Sequence, residues 1–312
     1  MSTELSVSGG PRSMTSLHSS DPTLLNLPSN LPCTHRTFRL PLTRTAAAAA
    51  LALSLATPAL RAADTPIPPA SSTPVEGAIG LLAIHGPEFM GSQRSGSKLL
   101  PGFFLRYGRF SITNASGFVT RRDDDVVRGL GIELSNQPNL RVTLGLRYDA
   151  GRDESTSDDL RGLGNVKNTV RARLSAQYAL DRHWKLGGAW SVDAFGRGGG
   201  NLGELTLRHE RNLSPQTHAF AGAALVLAGD RYMQTYFGVT PEQAARSGYR
   251  AYTPGSGLRD ASLFAGMRHD LARDWVMLGG VSTTRLMGPA ADSPLTRRQT
   301  TFAINGGIAW RF

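Results

Sequence analysis

Histidines and their acidic neighbours are the first residues to consider for catalysis. His269–Asp270 is the one adjacent His–Asp pair after residue 64, and an outer-membrane protease would need a His–Asp pair at the outer rim. A Ser–His–acid set is defined by geometry and not by spacing, and Ser191 and Asp193 have no histidine obviously beside them. The residues therefore predict no catalytic site. The histidines of this region are His85, His183, His209, His218 and His269.

Two further motifs could bind ions or phosphates. The stretch "RRDDDVV" (121–127) carries three consecutive carboxylates, a spacing that matches no known calcium loop. A solvated loop that faces lipopolysaccharide is the favoured interpretation. The stretch "GRGGGN" (196–201) joins two strand-like segments and opens no helix, unlike a phosphate-binding glycine loop. We predict no metal and no cofactor.

The charge and the single cysteine exclude other classes. The formal net charge is +10, but the basic residues are spread singly along the chain instead of clustering, which argues against nucleic-acid binding. Cys33 precedes the apolar run near the N-terminus and does not follow it. It is therefore no lipoprotein acceptor, and the chain after residue 63 can form no disulfide.

The N-terminal region has the form of a secretory leader. "AAAAALALSLATPAL" (46–60) is too short for a membrane-spanning helix. Arginines precede it and "RAAD" follows, as in a Sec-type signal peptide cut near Ala62 or Ala63. We predict a signal peptide with an over-extended start in residues 1–63, a periplasmic linker in 64–74 and the folded domain in 75–312.

From residue 75 onward the chain is a series of segments with a period of two. In "LRVTLGLRYD" (140–149) apolar residues alternate with polar or small ones, which places the two sets on opposite faces of a strand. The terminal "TTFAINGGIAWRF" (300–312) follows the same rule. The predicted strands are 75–86, 98–108, 110–121, 127–135, 140–150, 169–180, 183–195, 201–211, 217–229, 258–270, 274–287 and 300–312.

The connections decide between a soluble sandwich and a barrel. They alternate long and short along the chain, and all five even-numbered connections have five residues or fewer. Bacterial outer-membrane barrels have an even strand number, short periplasmic turns and longer outer loops. We therefore predict an all-β fold, a transmembrane antiparallel β-barrel of about 12 strands with both termini periplasmic. His269–Asp270 then falls at the periplasmic end, away from the outer rim.

Basic side chains collect on the face that would line the lumen. An arginine on the lipid face near the midplane costs about 2–4 kcal/mol, so we expect the arginines to point inward and Leu144 and Leu174 to face lipid. Because a lumen side chain would pair or contact water, Arg171→Gln is expected to leave folding intact. A basic wall is also consistent with an alternative function, a small channel that weakly prefers anions. The predicted lumen arginines are Arg141, Arg147, Arg171 and Arg173.

The longest connection, 230–257, contains helix signals and aromatic residues. "TPEQAARSG" (240–248) offers a threonine N-cap, Pro241 at the first helical position, Gln243 at the capping-box position and a glycine C-cap. A helix of one or two turns is predicted there. The rings of Tyr232, Tyr236 and Phe237 could form a structured lid or contact a ligand, and we favour the lid.

This connection also carries a resemblance to a known family. "YMQTYFGVTPEQAARSG" (232–248) is similar to the MipA/OmpV family of outer-membrane proteins, as are "YDAGRDESTSDDLRGLGNVKNTV" (148–170), "MGPAADSPLTRR" (287–298) and the final "WRF". Lys167 and Asn168 stand where more acidic residues are expected in relatives. Together the matches cover most of the chain after residue 75.

The resemblance implies a location, a role and partners. It implies a non-enzymatic scaffold or structural protein of the Gram-negative outer membrane, in contact with lipid and lipopolysaccharide. It also implies binding to a periplasmic lytic transglycosylase and a murein synthase, with a surface adhesin as an alternative. Trp310 and Phe312 look like the terminal signal read by the barrel-assembly machinery.

Overall fold

The fold is seen in a computed structural model that describes residues 75–114 and 129–312. The signal peptide, Ala62, Ala63 and the linker lie outside the described residues, and so does the acidic loop 121–127. Those interpretations stay predictions.

Twelve antiparallel strands form one closed barrel in which each strand pairs with its neighbours in sequence and β12 pairs with β1. The predicted all-β, twelve-stranded barrel is confirmed. The strands are β1 (Glu76–Pro87), β2 (Ser95–Tyr107), β3 (Phe110–Thr113), β4 (Gly129–Asn136), β5 (Leu140–Asp149), β6 (Thr169–Ala179), β7 (Trp184–Asp193), β8 (Asn201–Ser214), β9 (Thr217–Ala228), β10 (Gly257–Asp270), β11 (Trp275–Leu286) and β12 (Thr300–Arg311).

Alternating residues divide each strand between an apolar exterior and a more polar interior. In β6, Leu174 is 50% exposed on the outside, and its register partner Leu144 on β5 is 43% exposed. An apolar band on the outside of a closed barrel is the surface that lipid stabilises. Exposed aromatic residues lie on this surface near both ends of the barrel. Those near the end at which β2 and β12 terminate are Tyr107, Tyr178, Trp184, Trp275 and Trp310, and those near the other end include Tyr148 and Phe302.

The two ends of the barrel differ in their connections. At one end, here called the short-turn end, the links are as brief as Gly108–Arg109 and Pro215–Gln216. The other, here called the long-loop end, carries 150–168, 229–256 and 287–299. The predicted alternation of long and short connections is therefore confirmed over the described residues.

All the helices of the described residues lie in the long connections. They are α1 (Asp230–Phe237), α2 (Pro241–Ser247) and α3 (Gly288–Ala291), with two 3₁₀ turns at Glu154–Thr156 and Asp158–Leu160. In the described part of the chain, no helix has the length and apolar character needed to span a membrane.

Candidate functional site

Helix α1 covers the long-loop end of the barrel. The N–H of Gly238 ends the helix by bonding the carbonyls of Met233 and Gln234. Tyr232, Met233, Tyr236 and Phe237 are all buried, and they pack on Ala228 and Leu286 at the tops of β9 and β11. The three aromatic residues proposed for a lid thus lie beneath the loops, on a helix that the sequence analysis did not predict.

A second apolar cluster joins the long loops to one another. Leu160, Leu163, Val239 and Leu295 are each at most 2% exposed, although they come from three different connections. The hydroxyl of Ser293 donates to the carbonyl of Phe237 at 2.6 Å, which ties the last connection to α1. We refer to α1, α2 and the loops packed on them as the lid.

Helix α2 has the caps that its sequence predicts. The Thr240 hydroxyl accepts from the Gln243 N–H, and the Gln243 side chain accepts from the Thr240 N–H. Gly248 ends the helix at a φ of 75°, a conformation that glycine adopts without strain. Pro241 occupies the first turn and is exposed. The Gln243 amide also donates to the carbonyl of Leu163 at 2.6 Å, which fixes α2 to the neighbouring loop.

A polar network lies directly under α1. Arg171 Nε is 2.7 Å from Asp149 Oδ2, and its Nη2 donates to the carbonyl of Gly199 at 2.7 Å. The Tyr236 hydroxyl donates to the same Asp149 carboxylate at 3.3 Å. Arg171 is 4% exposed, so this predicted lumen arginine is part of a packed layer that joins the lid to the barrel wall.

Burial and charge set the ionisation of the lid residues. Burial is the main cause that raises the pKa of the Tyr236 phenol above its ordinary value, and the Asp149 charge adds to it. Burial also lowers the pKa of Arg152, whose Nη1 donates to the Tyr236 carbonyl at 2.9 Å. The Tyr236 phenol is therefore protonated at neutral pH, since its pKa moves further above 7.

Two of the other predicted lumen arginines, Arg141 and Arg173, lie deeper in the barrel than Arg171 and face carboxylates. Arg141 Nε is 2.9 Å from Glu133 Oε1, and Arg173 Nη2 is 2.9 Å from Glu204 Oε2. Arg147 lines the same interior space as Arg173.

The sequence analysis missed several of the interior carboxylates, among them Glu133, Glu210 and Asp270. Glu210 contacts both Lys185, at 2.6 Å, and Arg208, at 2.9 Å. The period-two pattern could have identified them as interior residues, because each carboxylate lies an even number of residues from other inward positions of its strand.

Side chains fill the interior at the short-turn end. Phe104 and Val276 point inward and are only 2% and 0% exposed. Arg311 is 6% exposed, and its Nη2 lies 3.2 Å from Asp270 Oδ1. Inward residues of a water-filled lumen would stay accessible, so this low exposure identifies a packed layer. Ala78 and Ala309 complete its apolar part.

The histidines and the glycine-rich loop have structural partners. His269 Nδ1 is 2.9 Å from the Thr217 hydroxyl. Asp193 accepts from the N–H of Gly199 at 2.8 Å and from the Thr169 hydroxyl, which orders "GRGGGN" as a turn. Among residues 75–114 and 129–312, no group of three His, Cys, Asp or Glu side chains is arranged to hold a metal ion.

The last residues complete the closure of the barrel. Phe312 exchanges backbone hydrogen bonds with Gly77, at 3.0 and 3.1 Å. Its ring lies 5.2 Å from that of Trp310, centroid to centroid, on the exterior. The two proposed assembly-signal residues are therefore neighbours on one exposed surface.

The comparisons with a family model and with individual proteins identify the same family. The family model described as "MltA-interacting protein MipA" matches residues 79–312. The "MltA-interacting protein" of Escherichia coli (strain K12) is 32% identical over 159 residues, which cover 51% of this chain and 63% of the relative. The protein of the same name from Shigella flexneri gives the same figures. The match thus spans less than two thirds of either relative.

Solved structures show distant similarity. OmpT of Vibrio cholerae is 8% identical with a TM-score of 0.37, covering 77% of this chain and 97% of that protein. The NanC porin is 6% identical with a TM-score of 0.40, covering 75% and 98%. Likeness at this level has no bearing on what the chain does.

Proposed function

The chain belongs to the MltA-interacting protein family of outer-membrane β-barrels, and from this premise we propose that it is a non-catalytic scaffold. In this proposal both termini and the short-turn end face the periplasm and bind a murein lytic transglycosylase, and through it a murein synthase. The long-loop end faces outward, toward lipopolysaccharide.

One observation favours the scaffold function over the channel function. Packed layers of side chains cross the barrel interior at both ends. At the short-turn end, Phe104 and Val276 are almost fully buried. At the long-loop end, Tyr232 of the lid and Arg171 beneath it are each 4% exposed. A solute that crosses the barrel would have to displace both layers, whereas a ligand of the interior would have to pass only the layer at the long-loop end. A binding protein needs no such passage.

The short-turn end offers a surface for a partner. Its turns and the adjoining end of β8 carry exposed arginines close to the aromatic residues of the barrel exterior, so the surface combines charge with apolar area. Charged and aromatic residues together favour protein–protein contact. The exposed arginines are Arg109, Arg182, Arg211 and Arg273.

A binding measurement tests the proposal. The barrel in lipid nanodiscs would be titrated with a purified, soluble lytic transglycosylase, and saturable binding is expected. Arg182→Glu with Arg273→Glu should weaken that binding at least tenfold. The matched control is Arg246→Glu with Arg298→Glu, which changes two exposed arginines at the long-loop end. Absent binding, or loss of binding only in the control, would refute the scaffold.

The anion-preferring channel remains the second candidate because of the charge on the interior. Five arginines and three carboxylates line a space of about 760 Å³ inside the barrel, and a basic wall favours anionic solutes. A reproducible open conductance of the purified protein in a planar bilayer would favour this candidate over the scaffold.

A further inference from the structure

A chamber lies inside the barrel, between the lid and the packed layer at the short-turn end. Its volume is about 760 Å³. Leu286, which packs under α1, lines the chamber from the lid side. Leu82 and Leu278, which pack on the layer of Phe104 and Val276, line it from the other side. Small-molecule sites in proteins have volumes of about 300–1,000 Å³, so the chamber has the size of a ligand site.

One wall of the chamber is basic. It is formed by Arg147 of β5, Arg173 of β6 and Arg208 of β8. Arg259 and Arg268 also line the chamber, and the carboxylates that line it are Glu204, Glu210 and Asp260. Arg173, Arg208 and Arg259 are paired with these three carboxylates. The lining keeps a net positive charge because it has five arginines against three carboxylates. The chamber favours a negatively charged group.

The remaining wall is apolar. Phe220 and Phe264 point into the chamber with ring centroids 6.4 Å apart. The guanidinium carbon of Arg208 lies 4.1 Å from the Phe220 centroid, so the basic and apolar surfaces meet at this pair. Phe264, Leu278 and Leu82 continue the apolar surface.

We propose that the chamber binds an amphipathic organic anion, in which a carboxylate, sulfate or phosphate is attached to a compact aromatic or branched apolar body. The charged group would contact the wall of Arg147 and Arg173, and the apolar body would lie against Phe220 and Phe264. This site is separate from the short-turn surface to which the scaffold function is assigned.

Calorimetry of the protein in nanodiscs, with 2-naphthoate as the probe, tests the site. Empty nanodiscs give the background from lipid, and the neutral 2-naphthamide tests the need for charge. Saturable binding of the carboxylate is expected, with the amide at least tenfold weaker. Equal affinity for the two compounds, or binding no greater than in empty nanodiscs, would overturn the proposal.

Two variants on β11 locate the probe. Ser282 lines the chamber, whereas the adjacent Thr283 lies on the opposite face of the strand. Ser282→Trp should abolish binding by filling the chamber, and Thr283→Trp should leave it unchanged. Retained binding in folded Ser282→Trp, judged by heat modifiability on a gel, would refute the site. Transglycosylase binding should be the same in both variants, so the scaffold function is tested separately.

Arg147→Gln tests the basic wall. It should weaken 2-naphthoate binding about tenfold, because a hydrogen bond between charged groups is lost, while leaving the affinity for 2-naphthamide unchanged. An equal loss for both compounds would mean that Arg147 shapes the chamber without binding the anion.

Discussion

Tyr232 of the lid and Arg259 of the barrel wall are joined by a hydrogen bond in which Arg259 Nη1 donates to the Tyr232 hydroxyl at 2.9 Å. The guanidinium carbons of Arg171 and Arg259 lie 5.2 and 5.3 Å from the same ring centroid. Cation–π contacts away from water contribute about 2 kcal/mol or more each. One side chain therefore fastens α1 to both β6 and β10.

Tyr232→Ala is predicted to loosen the lid without unfolding the barrel. Removing a buried aromatic side chain costs about 3–5 kcal/mol, which raises the open population more than a hundredfold. Trypsin should then cut faster at the exposed Arg231, Arg246 and Arg250. Tyr232→Phe keeps the ring but loses the hydrogen bond from Arg259, so it should be cut faster than the wild type and more slowly than Tyr232→Ala. Equal cleavage of all three proteins would show that Tyr232 does not hold the lid.

Alkaline pH is predicted to release the lid through Tyr236. Its pKa is raised in the folded protein, chiefly by burial. The stability from the protonated phenol is therefore complete below the unfolded tyrosine pKa of about 10, and it is lost as the pH rises through the folded pKa. Absorbance at 295 nm should show a tyrosine that ionises well after the exposed ones. In Tyr236→Phe this late step should be missing, and its persistence would contradict the assignment.

The strand pattern could be predicted because the membrane enforces it. Leu144, Leu174 and their equivalents must face lipid, so an apolar residue recurs at every second position. Eleven of the twelve predicted strands agree with the structure to within three residues at each end. The predicted third strand continues to residue 121, mostly outside the described residues.

The lid and the interior layers were harder to predict, for physical reasons. Helix α1 begins after Gly229 without a side-chain cap, so it lacks the signal that revealed α2 at Thr240. Phe104 and Val276 are apolar yet face inward, and an alternation of apolar and polar residues cannot distinguish them from lipid-facing positions. Their role follows from packing between strands that are distant in sequence.

The two faces of β8 are predicted to differ in their tolerance of arginine. Leu207 lies near the middle of the strand and is 41% exposed on the exterior, whereas Thr206 lines the chamber. Leu207→Arg should destabilise the barrel by about 2–4 kcal/mol. Thr206→Arg should cost much less, because its side chain can reach Glu204. Urea refolding into lipid vesicles measures both, and a larger loss for Thr206→Arg would mean the faces are misassigned.

Arg171→Gln is now predicted to be harmful, contrary to the expectation from sequence. Arg171 is buried against Asp149, and removing one partner of a buried ion pair costs about 3–5 kcal/mol because the other charge is left alone. The double variant Arg171→Gln with Asp149→Asn should recover most of that loss. Urea unfolding of the single and double variants tests this. If the double variant lost as much as the single one, the ion pair would not be the cause.

Phe312→Ala is predicted to harm assembly in cells far more than the stability of the folded barrel. The substitution keeps the backbone bonds to Gly77, and the lost ring is 44% exposed and already lies beside Trp310. Its burial against lipid contributes at most about 1.5–3 kcal/mol, so refolding from urea into detergent should be nearly normal. Surface delivery should fall sharply if the terminal aromatic residue is read by the assembly machinery before the barrel closes. Phe302→Ala removes an exposed ring from the same face of β12 and is the matched control, for which both measurements should change little. Equal losses in refolding and delivery for Phe312→Ala would show that Phe312 is only an anchor in the membrane.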